Sequence, residues 1–316
     1  YTLVPYLPQT LVGIAARLFE LRPLVVFYLG RLANLFAALT LVGLAMRVAT
    51  ELVAPIAAAT LLPETLSEFA SWSADPLTIA LAFLLTAMLA AERITWATAV
   101  TAFFLGLCKP AYFLIALLVL LTRVRPRLKA AVVASSLLGT FLAWAYNSLG
   151  AYNQRIGVPV EARAQLACIV GEPLRFVRIF LHDVTEHGWT YLEQMTGRFG
   201  SVLQVQPSAL LPWAELVLLL AVAMTGAPSL RAAFRVSAAV VIALTIGGIL
   251  LATFLFSSIA CGEAIEGVQG RYFLPLLPLA LTLPAIARFK LALPVVVAGA
   301  VVCNVVALAA IARSFW

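Results

Sequence analysis

Apolar residues come in long blocks along this chain, not in alternation with polar ones. The blocks fall at about 24–46, 52–63, 76–91, 95–108, 111–122, 130–148, 209–226, 236–256, 272–287 and 291–312. A helix needs about 20 apolar residues to cross a bilayer, and several blocks approach that length. The blocks at 52–63, 95–108 and 111–122 are shorter, which predicts tilted, broken or re-entrant segments. A barrel would alternate polar and apolar positions, and this chain does not. The pattern therefore predicts an all-α, polytopic membrane protein of about ten transmembrane helices, built as one integral-membrane domain over residues 1–316. Ahead of the first block, Pro5 and Pro8 predict a loop leading into a short helix, Gln9 to Leu21.

The longest polar stretch, 149–208, is expected as an insert between two spans. Within it Leu174, Val177, Leu181, Val184, Tyr191 and Met195 recur at helical spacing, with Gly188 in the same series. Pro173 to Gly197 thus reads as an amphipathic helix, bent at Gly188, lying in the membrane interface or capping the spans.

Composition agrees with the blocks. The 316 residues are 63% hydrophobic and 11% charged, with mean hydropathy +1.04. The net charge of +7 suggests nucleic acid only until it is placed on the topology. One set of alternate loops carries Arg47, Arg93, Arg123, Arg125, Arg127, Lys129, Arg231, Arg235, Arg288 and Lys290 against Glu51 and Glu92. The other set is close to neutral. Basic loops mark the cytoplasmic side, so both ends of the chain and the insert are expected outside, and no nucleic-acid role is expected.

Candidate chemistry gathers on the outer side. Gly267-Val-Gln-Gly-Arg-Tyr-Phe-Leu-Pro275 joins a polar loop to an apolar block, so Arg271 stands at the mouth of a span beside Gln269 and Tyr272. A cation there is costly without a partner and marks a site; the plain alternative is an Arg that snorkels to lipid headgroups. Asp75, in Ala70-Ser-Trp-Ser-Ala-Asp-Pro76, is either a site carboxylate or a helix N-cap. Lys109, in Cys108-Lys-Pro-Ala-Tyr112, is either a site cation or a snorkelling residue at a turn. Arg31 lies roughly 10 Å inside the first span, with Tyr28 and Asn34 on its face. Three cations and one acid at one membrane face predict a cationic pocket suited to phosphate or pyrophosphate on a lipid carrier.

His182-Asp-Val-Thr-Glu-His187 misses zinc-motif spacing by one residue and is read as a solvated polar face, and no cofactor is expected, with a divalent metal left open. Cys168 and Cys261 share the outer side, which permits a disulfide in an oxidising compartment, and Cys108 lies close to that face.

RLANL (31–35), SADPLTIALAFL (73–84), CKPAY (108–112) and GVQGRYFLPLLP (267–278), together with Tyr6-Leu-Pro-Gln9, closely resemble the DUF2142 family of bacterial membrane proteins. That family resembles the GT-C superfamily of integral-membrane glycosyltransferases. The resemblance implies a polyprenyl-phosphate-linked sugar donor, a saccharide or lipid acceptor, and a site on the extracytoplasmic side of the bacterial inner membrane, in cell-envelope polysaccharide or glycolipid assembly. It implies substrate contacts for Arg31, Lys109, Tyr112, Gln269, Arg271 and Tyr272. The acidic motif usual in such enzymes would precede Tyr1, so the chain is expected to be N-terminally truncated, with Asp75 as the substitute catalytic carboxylate. A lipid-linked saccharide flippase and a non-catalytic membrane scaffold are the competing readings.

Overall fold

The computed structural model describes residues 2–149, 161–198, 209–225, 230–284 and 291–315. Parts of the insert, the ends of two apolar blocks, and Arg288 and Lys290 of the basic loops lie outside the described residues. The described residues form helices joined by turns and short loops, with no strand among them. In chain order the α-helices are α1 (Leu7–Leu18), α2 (Pro23–Val48), α3 (Val53–Thr60), α4 (Pro63–Phe69), α5 (Asp75–Ala90), α6 (Trp96–Cys108) and α7 (Pro126–Leu149). There follow α8 (Ala162–Gly171), α9 (Pro173–Thr196), α10 (Leu211–Thr225), α11 (Ala232–Ser257), α12 (Leu277–Ala280) and α13 (Leu293–Phe315). Two 3-10 helices matter to the site, Pro110–Leu121 and Gly270–Leu276.

Among the described residues four helices, α2, α7, α11 and α13, are long and apolar enough to cross a membrane. The short blocks take the forms their lengths require. Block 52–63 is broken: α3 stops at Thr60 and the chain restarts at Pro63, whose ring suits a first helical turn. Block 111–122 becomes a twelve-residue 3-10 helix that starts at Pro110. At about 2.0 Å per residue it covers roughly 24 Å, against about 18 Å for an α-helix of the same length. Three residues per turn also bring Tyr112, Ile115 and Leu118 into one row, and all three are buried.

α5 is the axis of the bundle. Thirteen of its sixteen residues are buried, the mark of a helix enclosed on all sides. It packs on α2, α6 and both 3-10 helices. α6 lies along α7 at a close crossing: a Cβ on Gly139 would stand 2.2 Å from the Phe103 carbonyl oxygen, so only glycine fits. Because α5 runs the length of the bundle, Asp75 and Glu92 mark opposite ends. At the Glu92 end its carboxylate takes the Arg123 backbone N–H at 2.9 Å and pairs with Arg231, which also donates to the Leu121 carbonyl. A cavity of about 350 Å³ opens there between Val48–Leu52, Ala90–Arg93 and Leu230–Phe234.

The insert supplies α8 and α9, and α9 runs unbroken through Gly188. The first half of its predicted stripe faces away from the bundle, with Leu174, Val177, Leu181 and Val184 exposed, whereas Tyr191 and Met195 pack inward. α9 also packs through Ile179, Phe176 and Phe180 on Leu250, Phe254, Ile265 and Val268. Asp183 is therefore buried, contrary to a solvated polar face; it accepts the Tyr191 hydroxyl at 2.9 Å and lies 3.3 Å from His187. Burial, and then the hydrogen bond to Asp183, push the Tyr191 phenol up. Among the described residues no group of three or more His, Cys, Asp or Glu is arranged to hold a metal.

A carboxylate and two cations at one end of the bundle

The stretch 70–75 is held in place by α2. Arg31 Nε donates to the Ala70 carbonyl at 2.5 Å, and Asn34 Nδ2 donates to the Ser71 carbonyl at 2.8 Å and to Gln9 Oε1 at 2.6 Å. Trp72 lies flat over Gly30, where any Cβ would overlap its ring, and stacks on Phe27. So Arg31 is spent on a backbone carbonyl and on the rings of Phe27 and Tyr28, not on Asp75. It braces the segment that carries the acid.

Asp75 is the first residue of α5, with Ala74 in the capping position and no side-chain cap. The N-cap alternative fails because Asp75 lies inside the helix and its carboxylate turns inward; its own backbone N–H is accepted by the Ser73 hydroxyl. The carboxylate meets two cations there. Oδ1 lies 2.5 Å from Lys109 Nζ, and Oδ2 lies 3.3 Å from Arg271 Nε. Lys109 points into the protein, with 11% of its side chain exposed, so it does not snorkel. Its ammonium also sits 4.5 Å from the centre of the Tyr272 ring, a cation–π distance. The Tyr112 hydroxyl donates to the Tyr272 carbonyl at 2.7 Å and fixes the strand of chain beside it. The Gln269 carbonyl closes the turn by accepting the Tyr272 N–H.

The sequence reading missed two partners. Glu68 Oε1 binds Arg271 Nη1 at 2.9 Å, and Glu64 lies one helical turn earlier on α4, buried, with Oε2 unpartnered. Their spacing, four apart at the end of an apolar block and seven residues before Asp75, was the available signal. The cluster thus holds two cations, Lys109 and Arg271, among three carboxylates, rather than three cations around one. Burial raises the Glu68 carboxyl, Asp75 raises it further, and Arg271 opposes both. Burial and then Glu68 push Glu64 up to about 8, again against Arg271. Arg271 is the most open member, with 30% of its side chain exposed, against 8% for Asp75 and 7% for Glu68.

A family model for a predicted membrane protein, DUF2142, matches residues 1–280. The chain belongs to the DUF2142 family. No curated protein and no solved structure matches it. The matched region of this DUF2142 protein contains every group of the cluster: Glu64, Glu68, Asp75, Lys109, Arg271 and Tyr272.

Against the same end lies the insert. Gly270 donates its N–H to Gln194 Oε1 at 2.8 Å, so α9 packs directly on the turn that carries Arg271. A disulfide joins Cys168 on α8 to Cys261, ten residues before Arg271. Gln165 and Arg175 hold the Cys261 backbone from α8 and α9. Cys108 and Cys303 are free and buried.

Proposed function

We propose that this DUF2142 protein is a GT-C-like membrane glycosyltransferase with about ten membrane passes. It works at the extracytoplasmic face of the bacterial inner membrane, in cell-envelope polysaccharide or glycolipid assembly. It takes sugar from a polyprenyl-phosphate-linked donor to a saccharide or lipid acceptor. The observation that carries this reading is the convergence of Lys109 and Arg271 on Asp75 beneath Tyr272, at the end of the bundle opposite the Glu92–Arg231 pair. Basic loops keep the cytoplasmic side, so the opposite end faces out.

The roles follow from exposure and charge. Arg271 is open enough to meet a donor phosphate, and its planar fork suits phosphate oxygens. Lys109 adds a fixed positive charge behind it and steadies the leaving phosphate. Asp75 or Glu68, released as Arg271 turns to the phosphate, takes the proton from the acceptor hydroxyl. Tyr272 and Tyr112 shape the wall, Gln269 stands at the mouth, and Arg31 keeps the 70–75 segment in register. No metal is required by these roles.

One observation favours a second reading. Both cations are already neutralised by Asp75 and Glu68, as in a structural clamp, and that favours a non-catalytic scaffold. Sealed vesicles holding the purified chain, supplied with labelled sugar on a polyprenyl-phosphate donor, separate the two. Transfer that is abolished by Arg271→Ala in a folded protein supports the enzyme. Full transfer by that variant, or none by the parent chain, removes the assignment; movement of lipid between leaflets without transfer would identify a flippase instead.

A further inference from the structure

Beside the ion-pair cluster is a second acid that neither the transfer reaction nor the sequence reading uses. Glu215 lies in the second turn of α10, inside an apolar block, and is fully buried at 0% exposure. Neither of its carboxyl oxygens has a hydrogen-bond partner. It lies within charge–charge range of Glu64 on α4 and Cys303 on α13. Glu64 is buried too, and its Oε2 is likewise unpartnered. Thr60, at the end of α3, and Thr65, next to Glu64, add two buried hydroxyls with no partner. Both come from elements packed near this junction, α3 against α10 and α4 against α13.

An ionised carboxylate in such a place, with no donor and no cation, is far more costly than a neutral one. The surrounding charges do not supply the missing cation. Arg271 is engaged by Glu68 and Asp75, and Lys109 by Asp75. Arg31 of α2 is held on the Ala70 carbonyl. α3 carries no titratable residue, and Cys303 is the one on α13 in charge range of Glu215. On the α9 side, Tyr191 is bound to Asp183, and Glu193 pairs with Arg198 at 3.9 Å.

We propose that Glu215 and Glu64 form a proton-binding site where α3 and α13 bring α10 and α4 together, each carboxyl holding its own proton so that the pair is neutral. The site has a consequence for the adjoining cluster. With Glu64 protonated, Lys109 and Arg271 balance Asp75 and Glu68, two charges against two. Loss of the Glu64 proton leaves the cluster one charge negative and repels an anionic ligand at Arg271. The high affinity of Glu64 for its proton, raised by burial and Glu68, agrees with this arrangement. The inference goes beyond the proposed transfer reaction and does not depend on it.

Infrared titration of the full chain in lipid nanodiscs tests it without any sugar donor. A buried protonated carboxyl gives a carbonyl stretch above the amide band. The parent protein is expected to show that band at neutral pH, and Glu215→Gln and Glu64→Gln each to lose their own share of it. The glutamine variants match the shape of the neutral acid, so both are expected to fold. Absence of the band at neutral pH, or its persistence unchanged in both variants, overturns the proposal. So does a carboxylate band in the parent chain that shifts with added sodium, magnesium or calcium but not in Glu215→Gln, since the ligand would then be a metal cation.

Discussion

Gly270 lies directly under the Tyr191 carbonyl: a Cβ on Gly270 would stand 2.2 Å from that oxygen and 2.7 Å from the Met195 backbone nitrogen. Neither atom can yield without moving α9. The glycine is therefore what lets α9 close down on the turn that carries Arg271. Gly270→Ala is expected to lift α9 and to destabilise the protein by about 1–3 kcal/mol, the usual cost of forcing a methyl into packed space. Thermal unfolding in detergent measures it, and hydrogen exchange should report faster opening in α9 than in α5. An unchanged melting point with unchanged exchange would show that α9 is not held there.

Asp75 and Lys109 form a buried pair, and buried pairs respond asymmetrically to substitution. Removing one partner strands a charge and costs about 3–5 kcal/mol, whereas replacing both with apolar groups of like size is often neutral. Asp75→Asn and Lys109→Met are each expected to lower the melting point steeply. The double variant should recover most of the loss. Additive losses in the double variant would mean that the two side chains do not face each other in the folded protein.

The architecture was legible because lipid imposes few options. The described part of most apolar blocks became a single helix; block 272–287 instead became a 3-10 helix followed by the four-residue α12, and the three short blocks became a broken helix, a short α-helix and a 3-10 helix. The convergence of residues 75, 109 and 271 was legible for a related reason: charges near apolar blocks are rare and must meet partners. Glu64 and Glu68 were missed because they follow an apolar block directly and look like loop residues until α4 forms. Glu215 was passed over inside an apolar block, although an acid there is costly by default. The capping role for Asp75 failed because local pattern cannot show that the helix starts one residue earlier and that Lys109 and Arg271, distant in sequence, take its carboxylate. The period of the α9 stripe was legible in the sequence; which aromatic residues hold the helix to the bundle, Phe176 and Phe180 outside the stripe and Tyr191 within it, was not.

The Cys168–Cys261 disulfide closes a loop over 93 residues of sequence and ties α8 to the segment leading into Arg271. Constraining a loop of that length is worth about 2–4 kcal/mol in favourable cases. Cys168→Ser or Cys261→Ser is expected to lower the melting point, and non-reducing gels should show the oxidised parent chain migrating faster than either variant. The disulfide also bears on sidedness, because such bonds persist on the oxidising side of a membrane. Thiol labelling of denatured, unreduced protein from intact cells should modify Cys108 and Cys303 alone. Labelling of all four cysteines would place this end of the bundle in a reducing compartment and reverse the proposed orientation.

Glu64 gives the protein a pH dependence whose sign can be worked out. Its ordinary value of 4.5 rises to about 8 in the folded chain, first through burial and then through Glu68. Between those values the folded protein holds a proton that the unfolded chain has released. Stability conferred by that proton is fully present below pH 4.5, falls as the pH climbs, and is gone once it passes about 8. Glu68, raised for similar reasons, contributes a slope of the same sign. Melting points measured across this window should decline with rising pH, and Glu64→Gln should flatten the decline while melting higher than the parent at the alkaline end. A parent protein that grows more stable as the pH rises through the window would mean that Glu64 is ionised when folded, with a cation beside it.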